Sequence, residues 1–132
     1  MNLAVAPNTA AGAQATVSDG MSLTDLHVLR RALPRCEATV LVDLTAGTVL
    51  GVGAGLALPQ EHYDELATEA AWVLSSGDDA AEQALLVRPT GQRLYVRAPG
   101  QPDEVLCVVL DPSADVPSLL PTVLRALAGQ PL

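Results

Sequence analysis

At 132 residues with 49% hydrophobic side chains, the chain can bury a sizeable core as one domain and is too apolar to be disordered throughout. A formal net charge of -8 and only 2% aromatic residues oppose nucleic-acid binding, which needs a clustered basic face or stacking platforms. The basic side chains are all arginines, scattered as Arg30, Arg31, Arg35, Arg88, Arg93, Arg97 and Arg125.

No apolar run approaches the roughly 20 residues of a spanning helix, so membrane insertion is not expected. Nor does the chain begin with a basic segment followed by a compact apolar one, which makes the cytoplasm the default expectation. Cys36 and Cys107 are too few for a disulfide scaffold and are expected as buried, reduced thiols.

Residues 1–20 are a mixture of Ala, Thr, Gly, Gln and Asn with little to bury, and are expected as a mobile tail. Ser22-Leu23-Thr24-Asp25 reads as a capping box, with Met21 and Leu26 as its hydrophobic staple. Leu23, Leu26, Leu29 and Leu33 form the expected buried stripe of a first helix, which Pro34 ends. His27 lies beside that stripe with no partner motif.

Ala38 to Leu44 reads as a strand, Thr45-Ala46-Gly47 as a turn with Gly47 at positive φ, and Thr48 to Val52 as the returning strand. The following Gly51-Val52-Gly53-Ala54-Gly55-Leu56 does not make a dinucleotide fingerprint, because Leu56 stands where the third glycine belongs. Glycines in such a strand mark an edge, a bulge or close packing.

A second helix is expected from Pro59 to about Ser76, stopped by Gly77. Tyr63, Leu66, Ala67, Ala70 and Leu74 share one face of it. At about 100° per residue, Trp72 points almost opposite, on an outer face with Glu61, Glu65, Thr68 and Glu69. That marks Trp72 as a candidate interface anchor. His62, Asp64, Glu65 and Glu69 lack a paired metal-ligand spacing and read as a solvated acidic face.

Three strands follow: Gln83 to Arg88, Arg93 to Ala98, and Glu104 to Leu110, with Pro99 to Asp103 as the longer turn. Val105 to Leu110 and Ala38 to Val42 are apolar on both faces, as central strands covered on both sides are. Ala84-Leu85-Leu86-Val87 carries no charge, so as a sheet edge it lacks gatekeepers and invites pairing with another chain. Val116, Leu119, Leu120, Val123, Leu124 and Leu127 give a strong final helical stripe, ended by Gly129. Pro121 within it, at a cost of roughly 3 kcal/mol deep in a helix, predicts a late start or a kink.

The hairpin ATVLVDLTAGTVLGVG, the Ala-rich helix after Pro59, the meander ALLVRPTGQRLYVRA and LCVVLDPSADV before the last helix together resemble the Roadblock/dynein light-chain superfamily, over about Ser22 to Leu127. The resemblance implies an α/β (α+β) domain over residues 21–128, with short tails at 1–20 and 129–132. Its five-stranded antiparallel sheet would run in the order 2-1-5-4-3, with one helix on one face and the two terminal helices on the other. It also implies a homodimer through the second helix and third strand, where Glu65, Glu69, Trp72, Ala84, Leu85, Leu86 and Val87 lie. Bacterial proteins of this kind typically bind a small Ras-like GTPase and regulate its nucleotide state or location; others are scaffold subunits.

The expectation is therefore a non-enzymatic dimeric regulator or adaptor with no cofactor. If it stimulates hydrolysis by an arginine in trans, Arg88, Arg93 and Arg97 are the candidates. The alternative is a PAS-like or profilin-like sensory module, which needs a ligand cavity between helix and sheet and has only Tyr63, Tyr95 and Cys107 to offer as inward polar groups. A hydrolase would need a nucleophile, a base and an orienting group, and Ser75, Ser76 and His62 form no such motif.

Overall fold

The computed structural model of the chain describes residues 21–55, 58–75 and 81–132. The elements are α1 (Leu23–Ala32), β1 (Cys36–Asp43), β2 (Thr48–Ala54), α2 (Gln60–Ser75), β3 (Gln83–Arg88), β4 (Gly91–Ala98), β5 (Gln101–Leu110) and α3 (Val116–Leu127). The strands form one antiparallel sheet in the order β2-β1-β5-β4-β3. The expected tail before Met21, the Gly77 stop of α2 and the Leu56 position lie outside the described residues.

β1 and β5 occupy the centre because both their faces are apolar. Ala38, Val40 and Val42 with Val105, Cys107 and Val109 point to one face, where Leu66, Ala67, Ala70 and Leu74 of α2 cover them. Leu41 with Leu106, Val108 and Leu110 points to the other, into a core shared with α1 and α3. Alternation at a period of two on strands covered twice accounts for the continuous apolar runs.

α1 begins at the expected capping box, with Ser22 Oγ accepting from the Asp25 amide and the Asp25 carboxylate accepting from the Ser22 amide. Leu26, Leu29 and Leu33 are buried, but Leu23 is exposed. At about 100° per residue it stands about 90° from the centre of the buried stripe. Two glycines of β2 let the helix come close. A Cβ on Gly53 would lie 2.6 Å from the Leu26 carbonyl carbon and oxygen, and one on Gly51 would lie 2.9 Å from the end of the Leu26 side chain. The buried Thr39 hydroxyl, opposite Gly53 in the ladder, donates to the same Leu26 carbonyl at 2.7 Å.

Several boundaries differ from expectation. β5 starts at Gln101, because Pro99-Gly100 suffices as a turn once Gly100 takes φ 76°. Pro102 is tolerated there because β1 reaches only to Asp43 opposite Glu104, so no neighbour on that side needs its missing N–H. α3 starts without delay at Val116 and carries Pro121 internally. The donor missing at Pro121 would have served the Pro117 carbonyl, and both prolines lie on the exposed side of the helix. β1 and β2 each extend beyond the predicted hairpin, to Cys36 and Ala54.

Cys107 is fully buried and Cys36 half-buried, and both are free thiols. Burial pushes each thiol up to about 12, so neither is a thiolate at neutral pH.

Candidate docking surface on α2 and β3

On α2 the outer face carries Glu61, Asp64, Glu65, Thr68 and Trp72, and Trp72 is 69% exposed. With Glu69 and Arg88 these residues line a shallow depression of about 570 Å³. An exposed indole amid carboxylates cannot be explained by the core, since Leu66, Ala67, Ala70 and Leu74 fill that role from the opposite side of the helix.

Glu69 departs from the solvated face expected of it. Its side chain turns against β3 and β4 and is only 13% exposed. Oε2 accepts from Arg88 at 2.8 Å, and Oε1 accepts from Arg93 at 2.9 Å and from the Tyr95 hydroxyl. Arg93 also reaches Glu65 at 3.3 Å. Burial alone would raise the Glu69 carboxyl, but the hydrogen bonds from Tyr95, Arg88 and Arg93 outweigh it and hold the group below its ordinary value. Burial, the neighbouring Cys107 and the Glu69 carboxylate together push the Tyr95 phenol far up, so it stays protonated and donates to Glu69. The reason these groups meet is register. Arg93 and Tyr95 stand two apart on β4, directly opposite Leu86 and Ala84, on the face α2 covers. That alternation is visible in the sequence, but the carboxylate that collects it is not.

β3 forms one edge of the sheet and pairs with β4 over six consecutive positions without a register shift. Ala84 and Leu86 pack against the α2 core, whereas Leu85 and Val87 point to the other face, 42% and 69% exposed. The structure thus brings Glu65, Glu69, Trp72, Ala84 and Leu86 together on the α2 face, with Glu69 acting as the clamp between helix and strands, while Leu85 and Val87 face the other way along the same edge.

The three arginine candidates separate. Arg97 is tied to the backbone, donating to the carbonyls of Ala81, Pro102 and Leu74, the last at the C-terminal turn of α2. Arg93 is held by two glutamates and mostly covered. Arg88 makes its ion pair with Glu69 while its side chain stays 46% exposed.

Two further polar residues escaped the sequence. Buried Gln92 donates its amide to the carbonyls of Asp111, Pro112 and Ala114, which shapes the loop into α3. The other is Thr39, described above; nothing in either's local pattern marks it. His62 is half-buried, with its ring edge-on to Tyr63 and Nε2 buried without a hydrogen-bond partner. Ser76 lies outside the described residues. Among the described residues, no three His, Cys, Asp or Glu side chains gather as a metal site, and no helix is long and apolar enough to cross a membrane.

No family model matches the sequence, and no curated protein matches it significantly. Solved structures do match the fold. A Roadblock/LC7 domain from Streptomyces avermitilis superposes with a TM-score of 0.68 at 17% identity, covering 81% of this chain and 92% of that one. A structure of MglB with a tetrameric arrangement gives 0.67 at 20% identity, covering 80% and 82%. The gliding protein MglB from Thermus thermophilus gives 0.64 at 20% identity, covering 79% and 81%. Strand order, helix placement and these superpositions agree: the chain has the Roadblock/LC7 fold.

Proposed function

We propose that this protein is a non-enzymatic regulator or adaptor that pairs with a second copy of itself through α2 and β3 and docks a small Ras-like GTPase, modulating its nucleotide state or location. The observation that carries this reading is an exposed tryptophan beside a regular, uncharged and unpaired strand edge. Edge strands of that kind pair with other chains unless they are blunted, and tryptophan is enriched at interface hot spots. The fold supports the reading: its likenesses include an MglB in a tetrameric arrangement, and the sequence resemblance points to the same class. The space between α2 and the sheet is filled by Leu66, Leu74, Tyr95 and Cys107, which favours docking over a small-molecule sensor.

Light scattering on the native chain and on Leu86→Lys tests the pairing. A native dimer that falls to a monomer in the variant supports it, and a monomeric native chain refutes it. For regulation, GTP hydrolysis by a Ras-like GTPase from the same organism would be followed with native protein and with Arg88→Ala. Stimulation lost in the variant makes Arg88 the group supplied in trans; stimulation retained means the GTPase's own residues are ordered instead.

A further inference from the structure

We infer that Glu82 and Arg88 make β3 specific for a second copy of this chain, by fixing one register in which Leu85 lies opposite the partner's Leu85 and Glu82 meets the partner's Arg88. This rests on the edge-pairing reading above and goes beyond it, because an uncharged edge alone prefers neither one register nor an identical partner.

The backbone narrows the choice. The Glu82 carbonyl accepts from the Arg97 amide at 2.9 Å, one step before the Gln83–Val96 pair of the ladder. An antiparallel ladder alternates, so the N–H and C=O groups of Ala84, Leu86 and Arg88 also turn towards β4. The two-residue turn at Pro89-Thr90, which closes on Arg88 and Gly91, agrees. Gln83, Leu85 and Val87 therefore turn their backbone groups outwards, to the open edge.

Symmetry narrows it further. In a two-fold pair with a continuous sheet, the α2 face of one copy continues that of the other, and directly opposed residues share a face. Odd and even positions of β3 point to different faces, so odd must meet odd, which sets one residue opposite its own copy. Centred on Leu85, Gln83 meets the partner's Val87, Leu85 the partner's Leu85 and Val87 the partner's Gln83. Each pair exchanges two hydrogen bonds, and every outward group of the edge is satisfied. Centred on Ala84, Val87 would meet the partner's Ala81, whose N–H already goes to the Leu74 carbonyl. Centred on Leu86, Gln83 would meet the partner's Pro89, which has no N–H.

The side chains make the same selection. On the α2 face the Leu85-centred register sets Ala84 against the partner's Leu86, small against large, and Glu82 against the partner's Arg88. These are non-hydrogen-bonded pairs, with Cα atoms about 4.5 Å apart and side chains at their closest. The Glu82 side chain is 79% exposed, and its ion pair with Arg97 is long at 3.8 Å. Arg88 gives Nη2 to Glu69 and stays 46% exposed, which leaves Nη1 and Nε for a second carboxylate. Centred on Ala84, Glu82 would instead lie against the partner's Leu86. An acid three places before Leu85 and a base three places after it become complements when the strand is laid antiparallel on itself.

The test exchanges the charges in the full chain. By sedimentation equilibrium, Glu82→Arg and Arg88→Glu should each raise the dimer dissociation constant at least about tenfold, because like charges then meet at both ends of the edge. An equimolar mixture restores both pairs with their signs exchanged and should return pairing to within about threefold of the native chain. Glu82→Cys mixed with Arg88→Cys reads the register without the charges. Oxidation should join the two variants to each other and neither to itself, since each position lies about 20 Å from its own copy. Single charge variants that dimerise as the native chain does, or a mixture that pairs no better than either alone, overturn selection by charge. Cysteine variants that cross-link alone, or no faster when mixed, overturn the register while a native dimer leaves edge pairing standing. A monomeric native chain overturns both.

Discussion

The two edges of the sheet differ in a way that composition does not reveal. β2 and β3 are both short, apolar and free of internal charge. β2 shifts register between Leu41 and Val42, so Leu50 has no partner residue of its own and bulges from the edge. Its glycines are pressed under α1. β3 keeps perfect register with β4, and among the described residues only one of its faces is covered. A bulge twists an edge away from incoming strands, and an overlying helix hinders their approach. The regular, half-bare edge has neither protection. Openness to another chain is thus set by register and by what lies overhead.

The strongest way to break this contrast is at Gly53. Gly53→Ala puts a methyl against the backbone of Leu26 and His27, which cannot rotate aside, so α1 must lift and the Thr39 bond to Leu26 must stretch. The expected loss is about 2–4 kcal/mol, read from denaturant unfolding. Gly51→Ala should cost far less, because its methyl meets only the tip of a leucine side chain. Equal losses at the two sites would refute close helix packing as the reason for these glycines.

On the β3 side the sharpest lever is Glu69. Glu69→Gln removes a charge that three donors share and should cost about 2–3 kcal/mol at neutral pH. The folded carboxyl titrates below its ordinary value of 4.5. Its contribution is therefore whole above that pH and is lost as pH falls through the lower folded value. Unfolding midpoints measured from neutral to acid pH should show the native chain losing stability faster than the variant. Parallel curves would mean that the clamp contributes nothing through its charge.

Leu50→Lys should have the smallest effect, within about 0.5 kcal/mol, as an exposed substitution on an edge that is already blunted. It should also leave the solution mass unchanged, where Leu86→Lys is expected to reduce it. A dimer broken by Leu50→Lys would reverse the assignment of the two edges.

Much of the fold was legible because it follows from local periodicity. The doubly apolar runs placed β1 and β5 at the centre. The stripe of Leu66, Ala67, Ala70 and Leu74 faced α2 inward and turned Trp72 outward, and Ser22 and Asp25 began α1 at the residue expected. The candidate surface was legible only in outline. Trp72 and the uncharged edge could be read from spacing, but Glu69 was assigned to solvent. The helical angle that places it there says nothing of Arg88, Arg93 and Tyr95, brought within reach by strand pairing 19 to 26 residues away.

By itself, then, the sequence determined the helices, the strands, their buried faces and the residue that faces outward, because these depend on neighbours three or four positions away on a helix and two on a strand. Only the tertiary structure decided that α1 rests on Gly53, that Gln92 holds the loop into α3, that Arg97 binds backbone, and that no helix among the described residues covers the outer face of Leu85 and Val87 on β3. Each of these is a contact between segments distant in the chain. Chain spacing alone does not determine which distant donor meets which acceptor, or which strand a helix leaves bare.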